Sequence, residues 1–213
     1  FLYDIIRIDH FRGFAAYWAV PYGETSAIKG EWVPCPGKDF FDTLHMEFGT
    51  LPVIVEDLGV ITPDVEELRD GYGFPGIKIL QFAFDSSEAN DYIPHNYIKN
   101  CIVYTGTHDN DTVVGWFKGV TADDRKYILD YLNTGENEIN WSFIRLAWSS
   151  VADTAIIPMQ DLLGLDTPAR MNLPGTEQNN WKWRANARAF TPGLAAKLAH
   201  LTLLYDRAKK LKK

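Results

Sequence analysis

Three apolar runs in this chain each stop at acid residues, and that pattern limits the folds open to it more than any other feature. The runs are Tyr3-Asp4-Ile5-Ile6-Arg7-Ile8-Asp9, Leu51-Pro52-Val53-Ile54-Val55-Glu56-Asp57 and Cys101-Ile102-Val103-Tyr104-Thr105-Gly106-Thr107-His108-Asp109. Each reads as a short buried strand rich in β-branched residues. An ionised group beside apolar surroundings costs free energy unless it is paired, so a sheet core has no use for carboxylates at its rim. The pattern makes sense if three strands deliver Asp9, Glu56 and Asp109 to one face of a parallel barrel, the face where such barrels carry chemistry.

The rest of the chain alternates strand and helix. An irregular, Gly- and Pro-rich stretch over 13–37 follows the Asp9 strand, and a helix is predicted over 39–48. After the Glu56 strand, Thr62 is placed to cap a helix with Pro63 at its first position. Asp64, Glu66 and Glu67 suit the positive end of that helix, and Gly71 and Gly73 close it. A strand over 76–82 leads into an acidic loop at 85–91. Helices are predicted over 121–132, capped by Thr121, and over 139–149. A fifth strand covers 154–158, a loop 166–184, and a last amphipathic helix 194–209, whose basic end suits its own dipole. Short apolar strands alternating with helices indicate a parallel sheet covered by helices. Five strands do not close an eight-stranded barrel. The chain is therefore either an open α/β sheet or the later portion of a barrel, and an apolar first strand, hazardous as an open edge, favours the second.

Bulk properties narrow the function classes. A formal charge of −7 disfavours nucleic acid or an anionic membrane as the main partner, and 46% apolar content supports a globular core. No apolar run nears the roughly 20 residues needed to span a bilayer. Phe1-Leu2-Tyr3-Asp4 lacks the basic start of a signal peptide, and its opening directly in a strand suggests a piece of a longer polypeptide. Cys35 and Cys101 are far apart without metal-type spacing, which reads as reduced thiols of a cytosolic or stromal protein. Among 7 Trp, 10 Tyr and 12 Phe, Tyr17, Trp18, Tyr22, Trp32, Trp116, Trp181 and Trp183 fall among Gly, Pro and polar residues. Rings there suit stacking on sugars.

Three carboxylates fit glycosyl transfer through a covalent intermediate, which needs a nucleophile and a second carboxyl, protonated at first, about 5 Å away. A third acid that holds sugar hydroxyls or developing positive charge adds transition-state binding. Arg7 precedes Asp9 by two residues, so on a strand both point to one side and the guanidinium can orient the carboxylate. His108 adds a donor beside Asp109.

These same residues carry a family resemblance. Arg7-Ile8-Asp9-His10-Phe11-Arg12-Gly13-Phe14, Val55-Glu56-Asp57-Leu58-Gly59-Val60-Ile61-Thr62-Pro63 and Thr105-Gly106-Thr107-His108-Asp109-Asn110-Asp111-Thr112 closely resemble the 4-alpha-glucanotransferases, the amylomaltase family of the alpha-amylase clan. So do Gly73-Phe74-Pro75-Gly76-Ile77-Lys78-Ile79-Leu80-Gln81-Phe82-Ala83-Phe84, Met159-Gln160-Asp161-Leu162-Leu163-Gly164 and Arg170-Met171-Asn172-Leu173-Pro174-Gly175-Thr176. The resemblance implies an α/β fold, a TIM (β/α)₈ barrel, of which residues 1–213 supply roughly the fourth to eighth βα units of one catalytic domain. The clan's third-strand motif and the family's acceptor-side loop have no counterpart here. By matched position, Asp9 is the nucleophile, Glu56 the general acid/base and Asp109 the transition-state stabiliser. Arg7 and His108 match residues contacting the nucleophile and the bound glucose, and Phe82, Asp85 and Asn172 fall in segments near substrate. The implied partners are α-1,4-glucans and maltooligosaccharides, with no nucleic acid, membrane, metal or cofactor. The implied location is the cytoplasm, or the plastid stroma in a plant or alga. A hydrolase on the same scaffold and an inert glucan-binding fragment are the rival readings.

Overall fold

The computed structural model describes residues 2–84 and 91–208, and within them the chain is mixed α/β. Its internal contacts divide it into two compact units, residues 1–77 with 100–102, and residues 78–99 with 103–213.

The first unit opens with β1 (Ile6–Ile8), which is shorter than the apolar run around it. Leu2, Tyr3, Ile5 and Ile6 are exposed rather than buried. A 3-10 turn over Phe11–Phe14 leads into β2 (Ala16–Ala19), which pairs antiparallel with β3 (Glu31–Pro34). This hairpin lies inside the stretch read as irregular. Its connection is long and lacks a two-residue Asn-Gly or Asp-Gly turn, so the usual local signature is missing. Trp18 faces Trp32 across the ladder, with ring centroids 5.3 Å apart. The helix α1 (Gly37–Phe48) covers the predicted 39–48.

The strand β4 (Val53–Val55) then lies parallel to β1, Arg7 opposite Ile54 and Ile8 opposite Val55. In α2 (Pro63–Gly71) Thr62 stands at the N-cap, yet its side chain does not cap. The hydroxyl donates to Asp64 Oδ1 instead and accepts from Arg12. Phe11, Phe41, Val55, Val65 and Phe74 form the core of this unit. The Phe41 ring lies 5.6 Å from Phe11 and 5.2 Å from Phe74.

Asp57, just past β4, is buried and holds three elements together. It accepts the Ile77 N–H at 2.7 Å and pairs with Arg69 of α2 at 2.7 Å. A Cβ on Gly76 would stand 2.2 Å from its Oδ2, so only glycine admits the carboxylate there.

The remaining sheet has the order β5 (Gly76–Ile79), β6 (Cys101–Tyr104), β7 (Thr154–Ile156). The strand expected over 76–82 stops at Ile79 and tightens into a 3-10 turn over Leu80–Phe84. Leu80, Gln81, Ala83 and Phe84 are all buried, which strand alternation cannot achieve on one face.

In the second unit, α3 (Val113–Gly119) was not anticipated, because Val113, Val114 and Gly115 are weak helix formers. It forms because its first N–H groups are satisfied. The Thr112 hydroxyl accepts from Gly115 N–H, and the buried Asp161 carboxylate accepts from Val113 N–H at 2.8 Å and from Thr105. Burial pushes the Asp161 carboxyl up from its ordinary value, against those two hydrogen bonds.

The next helices, α4 (Ala122–Leu132) and α5 (Ile139–Ser149), match the sequence reading, and α6 (Met159–Leu162) is one short turn. Thr121 caps α4, accepting the Asp124 N–H at 3.1 Å. Thr121→Ala is expected to lower stability by about 1 kcal/mol, read as a shifted urea midpoint at unchanged slope.

The last helix, α7 (Pro192–Leu204), ends five residues before the predicted 209. Arg207 turns back instead. It donates to the carbonyls of Trp148, Ser150 and Ala152 at 2.9, 2.7 and 2.5 Å. The cation therefore serves the C-terminal end of α5 rather than its own helix. Trp141, Ile144 and Leu201 form the core where α5 and α7 pack.

Candidate active site

Asp9 and Glu56 stand one residue past the ends of neighbouring parallel strands. The ladder pairs Ile8 with Val55, and it continues as Glu56 N–H donates to the Ile8 carbonyl at 2.8 Å. Strand alternation predicts that Arg7 and Asp9 share a side, and their side chains pair at 2.7 Å. The Asp9 side chain is 74% exposed, so the pair orients the carboxylate without covering it.

The Glu56 carboxyl is held more fully. One oxygen accepts the His10 N–H at 2.7 Å and the other the Leu58 N–H at 3.0 Å. Each oxygen keeps a second lone pair on which a proton can be carried. His10 adopts a left-handed backbone (φ 49°), which aims its N–H at the glutamate. The turn after one acid therefore positions the other.

That turn is anchored from below. Arg12 is buried and donates to the Val60 carbonyl at 2.7 Å and the Thr62 hydroxyl at 2.8 Å, and its guanidinium lies 4.0 Å from the centre of the Trp32 ring. Strand spacing gave no sign of this role, because the partners lie 48 and 50 residues away.

In the second unit, Asp109 follows β6 in a loop braced by Thr107 and Asn110. Its Oδ1 accepts from the Asn172 side chain at 2.5 Å, and its Oδ2 lies 3.4 Å from His108 Nε2. Asn172 is held in turn, its N–H donating to the His108 carbonyl at 3.1 Å. Arg170 donates to the main-chain carbonyls of both Asp109 and Asn172. His108, Asp109 and Asn172 are thus brought together by direct contact, and Arg170 is the member that sequence reasoning did not single out.

Phe82 is partly exposed on the 3-10 turn after β5, its ring 5.4 Å from Tyr92. Asp85 lies outside the described residues. Among the described residues no cluster of three or more His, Cys, Asp or Glu could hold a metal ion.

Comparison with known proteins yields consistent matches. Residues 1–189 match the family model described as 4-alpha-glucanotransferase. The 4-alpha-glucanotransferase of Synechocystis sp. is 55% identical over 207 residues, covering 96% of this chain and 41% of that protein. The chloroplastic/amyloplastic 4-alpha-glucanotransferase of Arabidopsis thaliana is 49% identical over 210 residues, covering 97% of this chain and 36% of that one. The structure of the amylomaltase from Streptococcus agalactiae in complex with acarbose aligns with a TM-score of 0.94 at 41% identity, over 97% of this chain and 42% of its own. The chain spans less than half the length of each of these relatives.

Proposed function

As a chain that belongs to the 4-alpha-glucanotransferase family, this protein, we propose, supplies the later βα units of a (β/α)₈ barrel that transfers α-1,4-glucan segments by a retaining double displacement. The observation that carries this reading is the Asp9–Glu56 pair at the ends of adjacent parallel strands. Such strands lie about 4.8 Å apart, the scale of the roughly 5 Å separation that a retaining mechanism uses.

In this mechanism Asp9, oriented by Arg7, attacks the anomeric carbon of the donor glucan. The bond to the departing 4-oxygen breaks as Glu56 gives that oxygen its proton, leaving a glycosyl ester on Asp9. Glu56 then takes the proton from the 4-hydroxyl of an acceptor sugar, whose oxygen displaces Asp9 and restores the retained α-linkage. Asp109, held by Asn172 and adjoining His108, accepts hydrogen bonds from ring hydroxyls that strengthen as the sugar flattens toward its oxocarbenium form. Phe82 and Asp85 belong to the segment expected beside the sugar. The substrates are α-1,4-glucans and maltooligosaccharides. The chemistry runs on carboxylates without a cofactor.

No helix among the described residues is long and apolar enough to cross a membrane. The cytoplasm, or the plastid stroma in a plant or alga, is the location that fits glucans of this kind. Incubation with maltotriose of the polypeptide carrying these residues, at the full length of its relatives, tests the reading. A ladder of longer and shorter maltooligosaccharides with released glucose is expected. Glucose and maltose alone would mean that water resolves the intermediate, and would replace transfer with hydrolysis.

A further inference from the structure

Against His108, which itself adjoins Asp109, the chain holds a tryptophan in a conformation that costs free energy to maintain. Trp181 has φ 60°, in the left-handed region, and Asn179 two residues earlier has φ 65°. Asparagine tolerates that region through local hydrogen bonds, whereas a bulky ring residue is rarely found there. The strain persists because the loop is tied down on every side. Trp181 N–H donates to the Met171 carbonyl at 2.8 Å, and its own carbonyl accepts from Arg184 at 3.1 Å. Asn180 accepts the Leu173 N–H at 2.9 Å and donates to the Thr176 carbonyl at 2.9 Å. The same segment, 170–173, carries Asn172 to Asp109.

This bracing places the indole against His108, ring centroids 5.0 Å apart, yet leaves Trp181 55% exposed. Burial in a core does not explain it, for one side of the ring meets the imidazole and much of the rest meets solvent. Strain retained by surrounding structure and directed at a single exposed side chain is characteristic of sites that need that side chain preset. A rigid indole next to a histidine and a carboxylate offers an apolar face and hydrogen-bonding groups together, the combination a pyranose ring requires.

We infer that Trp181 is a glucose-binding residue: its indole stacks on the apolar face of a glucosyl unit of the α-glucan, while His108 and Asp109 take that unit's hydroxyls. The inference rests on the transferase reading above and adds a binding surface to it. The loop's hydrogen bonds and the His108 contact hold Trp181 in place before substrate arrives, which lowers the ordering cost of binding.

Glycine relieves the backbone strain at position 181 while removing the ring, which separates binding from folding. In the full-length protein, Trp181→Gly should raise KM for maltotriose roughly five- to tenfold with a thermal midpoint equal to or above the parent's. Trp181→Phe, which keeps a flat ring, should recover most of the loss. A Gly variant with parental KM and kcat overturns the inference. So does a KM rise accompanied by a lowered midpoint, which would make Trp181 a packing residue, or a Phe variant as impaired as the Gly one. If the parent itself builds no maltooligosaccharide ladder, the transferase reading fails, and the stacking role falls with it. A working parent with indifferent variants removes the stacking role alone.

Discussion

Asp9→Asn is expected to reduce turnover of maltotriose by roughly ten-thousandfold or more while leaving maltotriose binding and the fold intact. In the proposed mechanism the amide matches the carboxylate in shape but cannot form the glycosyl ester, which would leave the first displacement without a nucleophile. Stability should hardly change. The Arg7–Asp9 pair is largely solvent-exposed on the aspartate side, and exposed pairs contribute little. Binding measured by calorimetry and turnover measured by product chain length should therefore part company. Turnover within tenfold of the parent would show that Asp9 is not the nucleophile and would shift attention to the other acids.

Asp57→Ala should instead cost about 3–5 kcal/mol of stability. Asp57 and Arg69 are nearly covered, their side chains 4% and 12% exposed. Burial opposes the Arg69 charge, and Asp70 and Asp57 outweigh it, holding the guanidinium above its usual range. Removing Asp57 leaves Arg69 with Asp70 alone, more than half exposed, and leaves the buried Ile77 N–H without an acceptor. It also opens the space that Gly76 keeps clear for the carboxylate. Asp57→Asn retains an oxygen for Ile77 N–H and should lose distinctly less. Urea denaturation followed by circular dichroism reads both, and equal losses for Ala and Asn would assign the whole effect to the charge. Asp57 neighbours Glu56 in the chain, yet the two are employed differently: Glu56 faces the turn after Asp9, while Asp57 turns inward to hold the strand that carries Glu56.

Much of this arrangement was legible in the sequence, for reasons that can be named. The acid-terminated strands were visible because the same ending recurs after three β-branched runs, although Asp57 serves structure from just such a position, and the Arg7–Asp9 pairing followed from strand alternation alone. The start of α4 followed from the Thr121 cap. The β2–β3 hairpin was hidden by its long connection, and α3 by residues whose intrinsic preference is overruled by Thr112 and Asp161. The contact between Asn172 and Asp109 spans 63 residues. No local spacing encodes it, and Asn172 was reached through family resemblance only. Trp181 was visible as an aromatic in a polar loop. Its strained backbone and its seat against His108 are products of the tertiary structure.

Arg207 links the segment after α7 to the end of α5, with a consequence for local unfolding. A helix terminus ordinarily frays one turn at a time, because each lost hydrogen bond is replaced by water. Here Arg207, past α7, holds the Trp148 carbonyl in the last turn of α5 and the Ser150 and Ala152 carbonyls just beyond it, so releasing it frees acceptors at a second helix end. The opening of the segment after α7 is thereby tied to the end of α5, and the two are expected to exchange with solvent together, as amide hydrogen exchange of both ends would read.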